Sequence, residues 1–298
     1  MAVYDFGRSP SSGNVCIVKE TELLLHTLVV GGNGSGKSNF LIHLASEQAL
    51  MRRPLAIFDA DGDLFWHTLS HYVEAKREDT LLIDATLTDW IMGFDPLHQE
   101  TLPPEVRVKR VSEVTLEVGR RMGLNLAYYE RNDPLSGIHE IMSRGIPKQG
   151  YYYRSLGIGF KHNVDFVGMF QELKSFLTLI PAAEDSLYYG MLLFDAFLAA
   201  AETVPARETT MLVFVDDVYR FGCKTLAEAL PRLTDRGIGI VAAVSFQQLG
   251  ELKRTTPKLY RGLLDGMKTI VAFDGNEEDP PDVIMDVRRK LFPPEELH

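Results

Sequence analysis

Residues Gly31 to Ser38 read GGNGSGKS, a full match to G-x-x-x-x-G-K-[ST], and the surrounding sequence supplies the context that pattern needs. A short apolar run, Thr27-Leu28-Val29-Val30, precedes it and reads as a buried strand. Phe40, Leu41, Leu44 and Ala45 follow at helical spacing. A strand, a glycine-rich loop and a helix in that order build a phosphate cradle. Backbone N–H groups close around phosphate oxygens where a Cβ would obstruct them, and the helix N-terminus adds partial positive charge. The alternative is a glycine-rich turn with no ligand. The complete match between strand and helix favours a nucleoside triphosphate, with Lys37 reaching the β- and γ-phosphates and Ser38 holding Mg²⁺. The candidate nucleotide-binding residues are Gly31, Asn33, Gly34, Ser35, Gly36, Lys37, Ser38 and Asn39.

Downstream of the loop the chain alternates in an α/β manner. Pro54 to Asp59, Leu81 to Ile83 closed by Asp84, Met211 to Val215, Gly239 to Val244 and Lys268 to Phe273 read as strands. Helical patterns lie between, one of them over about 223–235. Alternation of this kind implies a mainly parallel sheet covered on both faces. Between about 98 and 208 the pattern weakens. Helices are expected over 104–122, 165–179 and 184–202, with a Gly- and Tyr-rich segment around 145–159 that reads as loop with room for one strand. The expected division is a core of 1–97 and 208–275, a mainly helical insertion of 98–207, and a tail of 276–298.

A phosphate loop needs an acidic partner on another strand. LVFVDD supplies it: the apolar residues bury the strand, and Asp216 emerges at its C-terminal edge, where open α/β sheets bind ligands. Asp216 is the expected metal-side acid, and Asp217 the candidate that polarises the attacking water. Capping a turn is the alternative role for Asp217. Gln247, just past IGIVAAVS, is the candidate to sense the γ-phosphate or to orient the water. Arg236, in DRGIGI, is the candidate arginine finger toward a neighbouring subunit, the alternative being a surface cation at a helix end. Asp59, Asp61 and Asp63 (FDADGDLF) do not make a calcium loop, because Gly62 is misplaced and the twelfth position is Ser70. Asp59, at a strand end beside the phosphate loop, is expected near the metal.

The chain has 298 residues, 45% of them hydrophobic and 24% charged, which suits a soluble globular protein with a large core. Its two cysteines, Cys16 and Cys223, are isolated, which fits a reducing cytoplasm and argues against a disulfide framework or zinc site. No signal peptide or bilayer-spanning run is visible; the most apolar helical stretch, Met191 to Ala201, is short and carries Asp195. A net charge of −10 excludes a general nucleic-acid coat but leaves room for local basic surfaces. The candidates are Arg107, Lys109 and Arg110 with Arg120 and Arg121; Lys253, Arg254, Lys258 and Arg261; and Arg288, Arg289 and Lys290.

Taken together, these segments resemble the HerA/FtsK superfamily of ring-forming, DNA-pumping ATPases, nearest its HerA and TraG-like conjugative branch. HTLVVGGNGSGKSNFL is similar to that branch's H-x-x-V-x-G-x-x-G-S-G-K-S opening. FDADGDLF is similar to its D-P-H-G-D-L strand, and Asp95-Pro96-Leu97 to its N-P-L segment. LVFVDDVYRF resembles the D-E-containing strand, and DRGIGIVAAVSFQQL the R-x-x-G…Q segment. The likeness spans residues 14–97 and 208–275. It implies a RecA-like, additional-strand P-loop NTPase with ATP and Mg²⁺, a hexameric ring, DNA in the channel, and a nuclease, secretion or other effector as partner. It also implies nucleotide or metal roles for Gly31, Gly36, Lys37, Ser38, Asp216 and Gln247, and the finger role for Arg236. The sequence departs from the pattern where Asp217 replaces Glu and Asp95 replaces Asn. The membrane-spanning N-terminus of coupling proteins and the β-barrel preceding the HerA motor are not found in it.

Three activities compete. A DNA-translocating ATPase accounts for the motifs as a set. A nucleotide-gated assembly or scaffold subunit with weak hydrolysis accounts for Asp217 and the net charge. A small-molecule kinase would bring an arginine-rich lid, and none stands out.

Overall fold

Seven strands, all parallel, run side by side in the order β5-β6-β4-β7-β8-β3-β9. The structure is a computed structural model and describes residues 3–8, 15–72, 80–86, 102–121, 123, 164–181, 184–205 and 210–292. Along the chain the elements are β1 (Val3–Arg8), β2 (Val15–Lys19), α1 (Glu20–Leu23), β3 (Thr27–Gly31), α2 (Lys37–Leu50), β4 (Leu55–Asp59), α3 (Asp63–Tyr72) and β5 (Thr80–Asp84). Then follow α4 (Pro104–Arg121), α5 (Phe166–Gln171), β6 (Ser175–Leu179), α6 (Glu184–Thr203), β7 (Met211–Val215), α7 (Val218–Phe221) and α8 (Lys224–Thr234). The last are β8 (Ile238–Ser245), α9 (Phe246–Thr255), α10 (Pro257–Gly266), β9 (Thr269–Ala272) and α11 (Pro281–Leu291). β1 and β2 form a separate antiparallel pair.

Every residue of β3, β4, β6, β7 and β8 is buried, as expected of strands sandwiched between two helical layers. One face carries α2, α3 and the β1–β2 pair, with Leu41, Leu44, Leu64 and Phe65 in its core. The other face carries α4, α5, α6, α8, α9 and α10. Phe58 of β4 anchors that second layer. Its ring lies 4.6 Å from Phe194, 5.1 Å from Phe197, 5.4 Å from Phe176 and 5.7 Å from Phe221, centroid to centroid. Tilted and edge-on contacts of this kind suit the aromatic quadrupole.

The helix expected over 165–179 is instead a short helix and a strand. Asp165 caps α5 by accepting from the Gly168 N–H at 2.8 Å, and Leu173 turns the chain with φ +56°. Ser175-Phe-Leu-Thr-Leu then enters the sheet as β6, between β5 and β4. Short apolar runs have no period that separates strand from buried helix; the vacancy beside β4 settles it. β6 and α6 both lie within the segment read as a helical insertion, so that segment supplies one of the seven strands. The Asp95-Pro96-Leu97 segment and the loop at 145–159 fall outside the described residues.

Two polar clusters hold the second layer together. Asp195, within the apolar α6, accepts from Arg110 Nε and Nη2 at 3.0 Å each and from Thr225 Oγ1 at 2.6 Å. Arg121 is fully buried beside Glu117, with a second bond to the Gly222 carbonyl at 2.7 Å, while the other Glu117 oxygen accepts from Lys224 N at 3.0 Å. Two cations of the first candidate DNA-binding cluster are thus occupied in structural ion pairs. Among the described residues no helix is long and apolar enough to cross a membrane.

At the N-terminal end of β3, His26 fastens that strand to its neighbours. The ring is 1% exposed. Its Nδ1 accepts from Ile240 N at 3.0 Å, so Nε2 carries the proton and donates to the Leu230 carbonyl at 2.7 Å. Burial pushes its pKa down to about 4. Strand β3, which carries the phosphate loop at its other end, is thereby tied to β8 and α8.

Candidate nucleotide-binding site

The phosphate loop leaves β3 at Gly31 and enters α2 at Lys37. Gly36 precedes the helix with φ +100°, a conformation that glycine adopts without a Cβ clash, and no side chain caps the helix. The first N–H groups of α2 are therefore free of side-chain partners, as an anion site requires. Gly32 is needed for a close approach: a Cβ there would sit 2.7 Å from Asn276 Nδ2. The segment after β9 lies across the loop, with Phe273 N donating to the Val30 carbonyl at 2.8 Å and Gly32 N to the Asp274 carbonyl at 3.0 Å.

Lys37 folds back on this loop. Its ammonium donates to the Gly32 carbonyl at 2.7 Å and contacts the Gly31 carbonyl at 3.3 Å. Burial lowers its pKa, opposed by the charges of Asp216, Asp279 and Asp217. Carbonyls neutralise an ammonium poorly, so a phosphate is the better partner. Ser35 Oγ is buried with no hydrogen-bond partner among the described atoms. Asn33 and Gly34 are exposed at the loop tip, and Asn39 is exposed in the first turn of α2.

The acids come from β7. Strand β8 lies between β3 and β7, so the acids stand one strand away from the phosphate loop; this is the additional strand of the expected class. Asp216, 7% exposed, accepts from the Ser38 hydroxyl. Burial raises its pKa to about 7, with Asp59, Asp217 and Asp61 adding repulsion. Ser38 and Asp216 are the residues that would hold Mg²⁺, a hydroxyl and a buried carboxylate both being hard oxygen donors.

Asp217 has φ +66°, the left-handed region, which turns the chain sharply from β7 into α7. Its Oδ2 accepts from Gln248 Nε2 at 2.9 Å and lies 3.4 Å from Arg220 Nε. Its Oδ1 is buried and has no hydrogen-bond partner among the described atoms. Burial raises the Asp217 pKa to about 6, against the lowering effect of Arg220 and Gln248.

Three expected residues are placed differently from their neighbours in the motif. Asp59 is fully buried, with Oδ1 accepting from Asp61 N at 3.0 Å and Oδ2 from Phe65 N at 2.8 Å. Both oxygens organise the β4–α3 turn, which leaves Asp216 as the acid facing Ser38. Gln247 is exposed in the first turn of α9; the glutamine bonded to Asp217 is Gln248. The S-x-x-Q spacing of Ser245 and Gln248 marks a capping box and was the available signal for that residue. Arg236 sits in the turn before β8, at the strand edge opposite the phosphate loop, so it cannot serve its own chain's site. Among the described residues its guanidinium has no ion-pair partner. Asp279, 3% exposed and one of the charges acting on Lys37, went unread in the sequence because only folding brings the tail over the loop.

The glycine-rich loop, the buried acids one strand away and the seven parallel strands are the RecA-like P-loop NTPase fold of the additional-strand type. Among solved structures, the bacterial conjugative coupling protein TrwBdeltaN70 in its unbound monoclinic form has a TM-score of 0.59 with this chain at 14% identity, covering 92% of this chain and 74% of that one. TrwB in complex with ADP and Mg²⁺ gives 0.61 at 15% identity, over 92% of this chain and 76% of that one. VirB4 of Thermoanaerobacter pseudethanolicus gives 0.60 at 11% identity, over 96% and 88%. At these identities the likeness is one of fold. No protein-family model and no curated protein matches the chain by sequence.

Proposed function

We propose that this chain is an Mg²⁺-dependent ATPase that works as a DNA-translocating motor in a homo-oligomeric, hexameric ring in the cytoplasm. The observation that carries the reading is the juxtaposition of Lys37 and Ser38 with the buried pair Asp216 and Asp217 across β8. The solved relatives of the fold include one with ADP and Mg²⁺ and one with a non-hydrolysable ATP analogue. Lys37 leaves the loop carbonyls for the β- and γ-phosphates, whose remaining oxygens take the loop and α2 N–H groups. When bound by Ser38 and Asp216, Mg²⁺ supplies charge neutralisation on the phosphate oxygens. Asp217 Oδ1 accepts a proton from the attacking water. The water oxygen bonds to the γ-phosphorus as the bond to the bridging oxygen breaks, and that electron pair leaves with ADP. A carboxylate with a pKa near 6 is ionised at neutral pH yet basic enough to accept the proton. Arg236, at the opposite edge, completes the site of the next subunit.

A second reading is a nucleotide-gated assembly subunit, favoured by the shorter Asp217, the net charge of −10 and the engagement of Arg110 and Arg121 in internal ion pairs. Steady-state ATP hydrolysis with Mg²⁺, with and without linear double- or single-stranded DNA, separates the two. The motor predicts turnover that rises with DNA, weakens with salt and is lost in Lys37→Ala. Nucleotide binding without turnover under all of these conditions refutes it.

A further inference from the structure

We infer that Gln248 is a positioning residue for hydrolysis: it locks the Asp217 carboxylate through Oδ2 so that Oδ1 alone faces the attacking water. The inference rests on the ATPase reading above. Gln248 occupies the third position of α9 and closes a capping box with Ser245. Ser245 Oγ accepts from Gln248 N at 3.1 Å, and Gln248 Oε1 accepts from Ser245 N at 3.1 Å and from Ser245 Oγ at 3.0 Å. A backbone N–H can only donate, so the oxygen end of the carboxamide is fixed against Ser245. The nitrogen end must then point the other way, where it donates to Asp217 Oδ2 at 2.9 Å. A helix cap thus sets the direction of a donor in the site.

The sheet order explains how the two meet. β8 ends at Ser245 between the phosphate loop of β3 and the acids of β7, and α9 starts there. The left-handed backbone at Asp217 brings its side chain to the start of α9. Gln248 at 2.9 Å and Arg220 Nε at 3.4 Å both engage Oδ2, the Tyr219 backbone N–H adds a further donor to the carboxylate, and Oδ1 is buried with no hydrogen-bond partner among the described atoms. A carboxylate held by one oxygen cannot spin about its Cβ–Cγ bond, which keeps the proton-accepting oxygen in one orientation. A neutral donor suits the task. Lysine in its place would add a second cation beside Arg220, and glutamate would repel a carboxylate that already faces Asp61 and Asp216.

Steady-state hydrolysis and equilibrium binding of a fluorescent ATP analogue by the full chain test this. Gln248→Glu keeps the oxygen that caps α9 and loses the donor; Gln248→Leu loses both. Both variants are expected to lower kcat by roughly tenfold or more, while the dissociation constant of the analogue changes by less than about twofold. A cap lost for structural reasons alone would not separate the two quantities, and Gln248→Glu guards against a folding defect in Gln248→Leu. In an Asp217→Asn background, Gln248→Glu is expected to add no further loss in single turnover, because the two side chains act as one unit. Wild-type kcat in Gln248→Glu, or a loss fully additive to that of Asp217→Asn, overturns the inference and leaves the ATPase reading standing. Absence of Lys37-dependent turnover in the wild type overturns that reading and the inference with it.

Discussion

His26 should make stability depend on pH in a way that one substitution removes. Its folded-state pKa of about 4 lies below the ordinary 6.5, because a 1%-exposed ring holds a donor and an acceptor that only the neutral form can satisfy together. The neutral form is favoured in the fold. The contribution is therefore complete above pH 6.5 and is lost as pH falls from 6.5 toward 4. A gap of that size corresponds to about 3 kcal/mol once both states are protonated, and to about 2 kcal/mol already at pH 5. His26→Asn is the comparison of choice: asparagine tolerates the φ of +67° at this position but cannot span from Ile240 N to the Leu230 carbonyl. At pH 7.5 the variant should be about 2–3 kcal/mol less stable, since it leaves two backbone groups unsatisfied. Urea unfolding at pH 7.5 and pH 5, read by circular dichroism, measures both chains. The raised carboxyls of the acid pair titrate in the same window, but they do so in both chains and cancel in the difference. The gap between the two proteins should narrow by about 2 kcal/mol on going to pH 5. A gap that stays constant would refute the buried neutral imidazole.

Subunit complementation tests the placement of Arg236. Lys37→Ala and Arg236→Ala should each be inactive alone, and a one-to-one mixture should regain activity, because about a quarter of randomly formed junctions pair an intact Lys37 with an intact Arg236. Continued silence in a mixture shown to co-assemble would remove Arg236 from the neighbour's site. Phe58→Ala empties the centre of the aromatic cluster on one face of β4 and is expected to cost about 3–5 kcal/mol in chemical unfolding, against under 1 kcal/mol at an exposed helix position such as Met285.

The two remaining tests, of Lys37 and Gln248, address the site, and they differ in where their information lies. Lys37 belongs to a contiguous string whose letters prescribe the backbone around it, so its place at the start of the helix after the glycine-rich loop is open to reading before any fold is known. The same holds for Asp216: an apolar run that ends in an acid announces a buried strand and a carboxylate at its C-terminal edge. Alternation of apolar runs with helical patterns likewise identifies the parallel sheet and its class. These features depend on neighbours along the chain, and local geometry carries them.

Other features depend on neighbours in space, and only the tertiary structure decides them. Ser175 to Leu179 has no period of its own; the open position between β4 and β5 makes it a strand. Gln247 and Gln248 are adjacent and chemically identical, yet α9 exposes the first and, through the cap at Ser245, turns the second onto Asp217. Asp59 reads as an acid at a strand end beside the phosphate loop, and only folding shows that each of its oxygens accepts a backbone N–H in the turn behind it. Arg110 and Arg121 look like a surface for nucleic acid until α6 and Glu117 engage them. What the amino-acid sequence determined by itself was the phosphate loop, the acid that faces it and the class of sheet that joins them, because each is written in consecutive residues. Which of two like side chains enters the site, and which charges stay free for a partner, was decided by packing between segments far apart in the chain.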